Sequence, residues 1–209
     1  MDEYIKNYKL DQLLNFKEKY EDRAANYLVD PSIVEPYEAE QNDLCRLHHL
    51  VLSRRVTTIL EFGVGKSTAV LAHALKINQE EHSEFVTRNL RRNNAFQLHS
   101  VDDMERYIQI AKNNLPEALK KMTTFYQSNV EMSEFCGRIC TFYNKLPNVC
   151  PDFIYLDAPA QSSAKGNISG ISTDHFDRVP MAADILRFEH YFKNQQPISV
   201  FSDQRLISD

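Results

Sequence analysis

Three short stretches of the sequence hold residues whose types and spacing bear on chemistry. The first is Glu61-Phe62-Gly63-Val64-Gly65, continued by Lys66-Ser67-Thr68, where two glycines one residue apart follow an apolar run. Without side chains they let a backbone turn tightly and let a ligand approach its N–H groups. The second is a set of carboxylates, Asp102-Asp103 and Asp157, each standing where a further apolar run stops. An ionised carboxylate accepts several hydrogen bonds at once, which suits it to hydroxyl donors or to a transferred proton. The third is His175, flanked by Asp174 and Asp177 with Arg178 beyond. Imidazole titrates near neutrality, so His175 and Asp157 are the candidates for a catalytic base. Each has a plainer alternative: Asp102 as a helix cap, Asp157 as a turn residue before Pro159, the histidine cluster as a solvated loop.

Two phosphate-binding schemes fit these residues poorly. Gly65-Lys66-Ser67-Thr68 matches the end of a phosphate-cradling P-loop, and Phe153 to Asp157 matches an apolar strand ending in a magnesium-binding Asp. That loop also needs a glycine five places before Gly65, where Leu60 stands inside an apolar run. A dinucleotide fold asks for a third glycine at Thr68 and an acidic residue about twenty positions on, whereas Asp102 comes much later.

The elements that must position these residues alternate. Residues 1 to about 55 read as helices, with Tyr4, Tyr8, Leu13, Leu14 and Phe16 near helical spacing, a break at Pro31 and Pro36, and a second amphipathic run from Ala39 to Leu52. Val56 to Phe62 is a strand, Ser67-Thr68 opens a helix through Leu75, and Asn78 to Asn94 is a solvated helix or loop. Phe96 to Val101, Thr123 to Gln127 and Pro151 to Asp157 are three further strands. Val130 to Tyr143 reads as a helix, and Ala158 to Pro180 as a long loop of the kind that serves as an acceptor-side lid. A helix over Met181 to Phe192 and a strand over Ile198 to Phe201 follow. The alternation predicts a mostly parallel sheet with helices on both faces, in a domain of residues 56–209 behind a helical extension of residues 1–55.

Composition narrows the class. With 24 Lys plus Arg against 29 Asp plus Glu and a net charge of -5, there is no field to draw in nucleic acid or an acidic membrane. No apolar run is long enough to span a bilayer and the N-terminus lacks a signal-peptide core, so a cytoplasmic protein is expected. The four cysteines are sparse and expected to be reduced. Cys136 and Cys140 would share a helical face, yet only Gly137, Arg138 and Ile139 lie between them, so no metal is expected. Arg88, Arg91 and Arg92 read as a solvated face or a dock for an anionic substrate.

Ile59-Leu60-Glu61-Phe62-Gly63-Val64-Gly65, an apolar strand, an acidic residue and Gly-x-Gly, resembles the first motif of class I S-adenosylmethionine-dependent methyltransferases, which have a Rossmann-like three-layer α/β/α fold. The resemblance runs from about Leu44 to Phe201. It implies that Glu61 sits near the methionine ammonium, that Gly63, Gly65 and Ser67 pass under the methionine part, that Asp102 or its rival Asp103 binds the ribose hydroxyls, and that Asn129-Val130 contacts adenine. The stretch from Glu131 to Pro180 also looks like poorly characterised bacterial methyltransferases sometimes associated with surface-polysaccharide genes. The implied activity is methyl transfer to an oxygen or nitrogen of a small-molecule or glycan acceptor. The alternatives are a degenerate S-adenosylmethionine-binding module without turnover and a P-loop nucleotide hydrolase. Such enzymes carry a terminal pair of strands for which Ser202 to Asp209 leaves little room. The expectation is therefore a sheet lacking its C-terminal strands, its edge unpaired or covered in a homo-oligomer.

Overall fold

The computed structural model describes residues 2–14, 41–93, 95–157, 159, 163–174, 180–191 and 199–202. Its centre is a five-stranded sheet of β1 (Thr58–Phe62), β2 (Gln97–Asp102), β3 (Thr123–Gln127), β6 (Phe153–Leu156) and β7 (Ser199–Ser202) in the order β3-β2-β1-β6-β7. Every pairing is parallel. β1 and β6 are buried along their whole length, as apolar runs covered on both faces must be. This is a Rossmann-like arrangement, and strand order reverses between β1 and β6, so the carboxyl ends of those two strands border the crevice where such folds take ligands.

One face of the sheet is covered by helices. The helices α1 (Asp2–Tyr8) and α2 (Leu10–Leu14) precede α3 (Gln41–Ser53), while α4 (Lys66–Asn89) crosses from β1 to β2 and α5 (Glu105–Asn114) with the short α6 (Glu117–Lys120) crosses from β2 to β3. Leu47 and Val51 of α3 and Leu71 and Leu75 of α4 pack on Ile59, Leu98, Phe153 and Tyr155 of the sheet. The polar stretch Asn78 to Asn94 divides: through Asn89 it is the mostly exposed second half of α4, with Asn78 and Val86 buried, and residues 90–93 are irregular. Arg88 pairs with Glu84 in the helix. Arg92 does not lie on a solvated face: it donates to the Cys150 carbonyl (2.9 Å) and to Asp152 (3.2 Å). Asp152 also accepts the backbone N–H groups of Thr57 and Thr58 and the Thr57 hydroxyl. That cluster clamps the loop before β6 to the start of β1.

The other face corrects the sequence expectation. Val130 to Tyr143 is not a helix but an antiparallel hairpin of β4 (Val130–Phe135) and β5 (Arg138–Tyr143). The turn residues Cys136 (φ +50°) and Gly137 (φ +74°) both have positive φ, as a two-residue type I′ turn requires. Cys136 and Cys140 therefore lie on a turn and a strand rather than on one helical face. Val130, Met132 and Tyr143 of the hairpin pack on Leu60, Phe62, Val101, Ile154 and Leu156. Phe188, from a 3-10 helix spanning Asp184–Tyr191 within the expected helix of Met181 to Phe192, completes that layer. The loop after β6 docks on the hairpin through two backbone bonds, Lys165 N–H to the Val130 carbonyl (2.9 Å) and Met132 N–H to the Lys165 carbonyl (2.8 Å). Among the described residues no helix is long and apolar enough to cross a membrane, and no group of three or more His, Cys, Asp or Glu could hold a metal ion.

Candidate functional site

The glycine turn leaves β1 at its carboxyl end. Gly63 has φ +93°, a conformation open to glycine, and its N–H donates to the Val101 carbonyl of β2 (2.8 Å), which ties the turn to the neighbouring strand. Gly65 precedes α4, its N–H donates to the Thr68 hydroxyl (3.1 Å), and no atom lies within 4 Å of where a Cβ would stand. The backbone there faces open space at the N-terminus of a 24-residue helix.

Behind the turn sits Glu61, with no exposed surface. Its carboxylate accepts three hydroxyl hydrogen bonds, from Ser67 (2.6 Å) and Thr68 (2.8 Å) of α4 and from Ser100 of β2 (2.6 Å). The parallel register sets Ser100 beside Glu61, and both side chains point to the helical face. Burial pushes the Glu61 carboxyl up to about 7, the three hydroxyls oppose that shift, and the charge of Asp157 adds to it. Ser67, expected beneath the methionine, spends its hydroxyl proton on Glu61. The same bond separates this turn from a P-loop, where that hydroxyl would face a metal-phosphate group.

Asp102 ends β2 and is 4% exposed. One carboxylate oxygen accepts the Val64 N–H (2.8 Å) and the other the Met104 N–H (2.7 Å). The following helix is capped at Met104 without a side-chain bond, so Asp102 holds the turn that enters α5 rather than capping the helix itself. Burial raises its carboxyl to about 6 against the pull of those two backbone bonds. A carboxylate has about four acceptor positions, and the backbone N–H of Asp103 also opposes the burial shift, so the backbone donors leave about one position for a ligand. Asp103 is half-buried, and its carboxyl is raised by burial against a hydrogen bond from Ser163. Ser163 opens a shallow hollow of about 500 Å³ in the loop after β6, lined also by Lys165, Asn167 and Asp174.

Asp157 is exposed just beyond β6; its N–H donates to the Phe62 carbonyl (2.9 Å) and its carboxylate accepts the Tyr155 hydroxyl (3.2 Å). Asn129, also exposed, accepts the Asn144 N–H (2.9 Å) at the neck of the hairpin, while the Val130 side chain lies in the core. The structure thus brings Glu61, Gly63, Gly65, Ser67, Asp102, Asp103 and Asp157 to the carboxyl ends of β1, β2 and β6, with Asn129 and Val130 beyond β3. His175 lies outside the described residues.

Three residues of this region gave no signal in the sequence. Ser100 and Ser163 are single hydroxyls that only the strand register and the docked loop bring to Glu61 and Asp103. Tyr143 was hidden by the helical reading of its segment. Its ring stacks on Phe62 (centroids 5.7 Å apart, planes at 24°), and its hydroxyl is buried without a hydrogen-bond partner among the described residues.

A scan against protein-family models finds no match, and a search of curated proteins finds none. Among solved structures, the chain is similar to the O-methyltransferase TomG from Streptomyces achromogenes, solved with SAM (15% identity, 71% of this chain, 58% of that chain, TM-score 0.39). It is also similar to an O-methyltransferase from Bacillus cereus, solved with SAH (16% identity, 76% of this chain, 64% of that chain, TM-score 0.40), and to the SAH-bound methyltransferase PaMTH1 from Podospora anserina (11%, 78% of this chain, 60% of that chain, TM-score 0.34). The chain spans about three fifths of the length of these proteins.

Proposed function

We propose that the chain is an S-adenosylmethionine-dependent methyltransferase that passes a methyl group to an oxygen or nitrogen of a small-molecule or glycan acceptor. The observation that carries this reading is the coupling of the glycine turn, which borders the switch point of the sheet, to Asp102 at the end of the neighbouring β2. The carboxylate that would grip a ribose diol is the same one that holds the Val64 N–H, so turn and carboxylate form one preorganised unit. When bound, S-adenosylmethionine supplies a sulfonium methyl already activated for transfer. The chain's own part is placement: the open backbone face at Gly65 admits the methionine portion, the free acceptor positions of Asp102 and Asp103 take hydroxyl donors, and the acceptor approaches from the Asp157 side. Asp157, exposed and held by Tyr155 and the Phe62 carbonyl, is placed to take a proton from an acceptor that must lose one. His175 keeps its place in the proposal as the alternative base.

Calorimetry with S-adenosylhomocysteine and ATP side by side tests the reading. Binding of the homocysteine compound without binding of ATP is the expected result; ATP binding without any response to S-adenosylhomocysteine overturns it in favour of a nucleotide hydrolase. Asp102→Asn should weaken S-adenosylhomocysteine binding by about 1–3 kcal/mol, because an amide presents one acceptor oxygen instead of two. Binding at full affinity without methyl transfer to any oxygen or nitrogen acceptor would leave a non-catalytic module.

A further inference from the structure

Tyr143 poses a problem that packing alone does not answer. It ends β5, its backbone is fixed by its N–H to Asp184 (2.9 Å) and by Arg187 donating to its carbonyl (2.8 Å), and its ring lies on Phe62 at the end of β1. The side chain is fully buried, and its hydroxyl is an orphan among the described residues. Burying a hydroxyl without a partner costs free energy, and folded proteins seldom tolerate it without a reason. A phenylalanine would supply the same stacking and volume, so the oxygen calls for a partner that the described residues lack. Burial first, then the charges of Asp102, Asp103 and Asp184, hold the phenol well above its ordinary value, so it is a neutral donor at neutral pH.

The charges around it show what that partner needs to be. The carboxylates at the end of β2 accept hydrogen bonds and donate none, whereas an alcohol both donates and accepts. A ribose hydroxyl that gives its proton to Asp102 or Asp103 still has an oxygen in need of a donor, and the Tyr143 hydroxyl is a buried donor in want of an acceptor.

We propose that Tyr143 is a ligand-contacting residue of the site at the carboxyl ends of β1 and β2, its hydroxyl donating to a ribose oxygen of the bound nucleoside. The assignment rests on the S-adenosylmethionine reading above. Because the hydroxyl is shut from solvent, the ligand must part the apolar cluster around it. The parts of that cluster on neither the sheet nor the hairpin are Leu146, Ala164, Ile168, Ala182, Ile185 and Phe188, so the opening lies among these residues.

Tyr143→Phe tests this with two readouts. The unliganded variant should melt at the same temperature as the wild type or above it, since an unpartnered buried hydroxyl has been removed, while its affinity for S-adenosylhomocysteine falls roughly three- to tenfold. The analogue of S-adenosylhomocysteine lacking both ribose hydroxyls should bind wild type and variant equally, which isolates the contact as in a double-mutant cycle. A lower melting temperature of the unliganded variant would show that the hydroxyl has a partner within the chain and overturn the proposal. Unchanged affinity in a folded variant overturns it while leaving the cofactor reading intact. An equal loss with the dideoxy analogue removes the ribose contact. A wild type that binds no S-adenosylhomocysteine sinks the cofactor reading, and the Tyr143 assignment with it.

Discussion

Glu61 was marked for the site by its place between an apolar strand and Gly-x-Gly, and the resemblance assigned it to a ligand ammonium. In the folded chain its carboxylate joins β1, β2 and α4 through three hydroxyls, a structural role that the motif does not announce. Its partner Ser100 is a serine in a strand, with nothing in its neighbourhood to distinguish it until the β1–β2 register is known. The raised value has a consequence for stability. With a folded value of about 7 against an ordinary value of 4.5, the folded state keeps a proton that the unfolded state has lost between those two pH values. The stability tied to that proton is therefore full below pH 4.5 and declines as pH rises toward 7, by roughly 3 kcal/mol at most. Glu61→Gln, which cannot ionise, should flatten the fall in urea-unfolding free energy over that window. An unchanged slope in the variant would mean that Glu61 is ionised throughout.

At the scale of elements, burial made β1 and β6 the plainest to read: both are apolar runs, bounded by glycine, aspartate or proline, and buried throughout. β2 alternates and β3 is only partly buried, yet the limits of all four strands move by no more than two residues at either end. The hairpin was missed although its signal existed. Val130 and Met132 are buried with Glu131 exposed between them, the start of a period-two pattern that Glu134 then breaks, and Cys136-Gly137 is not the Asn-Gly pair that announces a type I′ turn. The turn's chemistry makes the hairpin testable. Asparagine tolerates positive φ better than cysteine, so Cys136→Asn should raise stability by about 0.5 kcal/mol. Gly137→Ala should cost about 1–2 kcal/mol at its φ of +74°. Both residues are exposed, so the urea midpoint reports backbone preference with little change in packing. Midpoints that move in the opposite directions would mean that these two residues do not form this turn.

The whole molecule brings N-terminal helices against the sheet-bearing body, and the contact runs through a buried histidine. Leu10, Leu14, Leu44, Cys45 and Val70 form its apolar part. At its polar centre the Tyr4 hydroxyl meets His48 Nδ1 (2.7 Å), and His48 Nε2 meets His73 Nδ1 (2.9 Å), so α1, α3 and α4 are joined by one chain of hydrogen bonds. His48 has no exposed surface, and burial, followed by the charges of His73 and His49, pushes it down to about 3. A lowered histidine acts in the opposite sense to Glu61. The folded state refuses a proton that the unfolded state accepts below pH 6.5, so the stability that depends on neutral His48 is present above that value and is lost as pH falls toward 3. Protonation would place a cation among Tyr4, Tyr8, Cys45 and His73, none of which is an anion at acid pH. The expected response is local: between pH 6.5 and 4.5 the amides of Asp2 to Leu14 should lose hydrogen-exchange protection, after correction for intrinsic rates, while those of β1 and β6 keep theirs. His48→Gln should make the protection of the N-terminal helices, whatever its level, nearly independent of pH across that range. Helices that keep full protection down to pH 4.5 in the wild type would show that His48 accepts a proton without undocking them, and a pH dependence as steep in His48→Gln would assign it to His73 or to another titrating group.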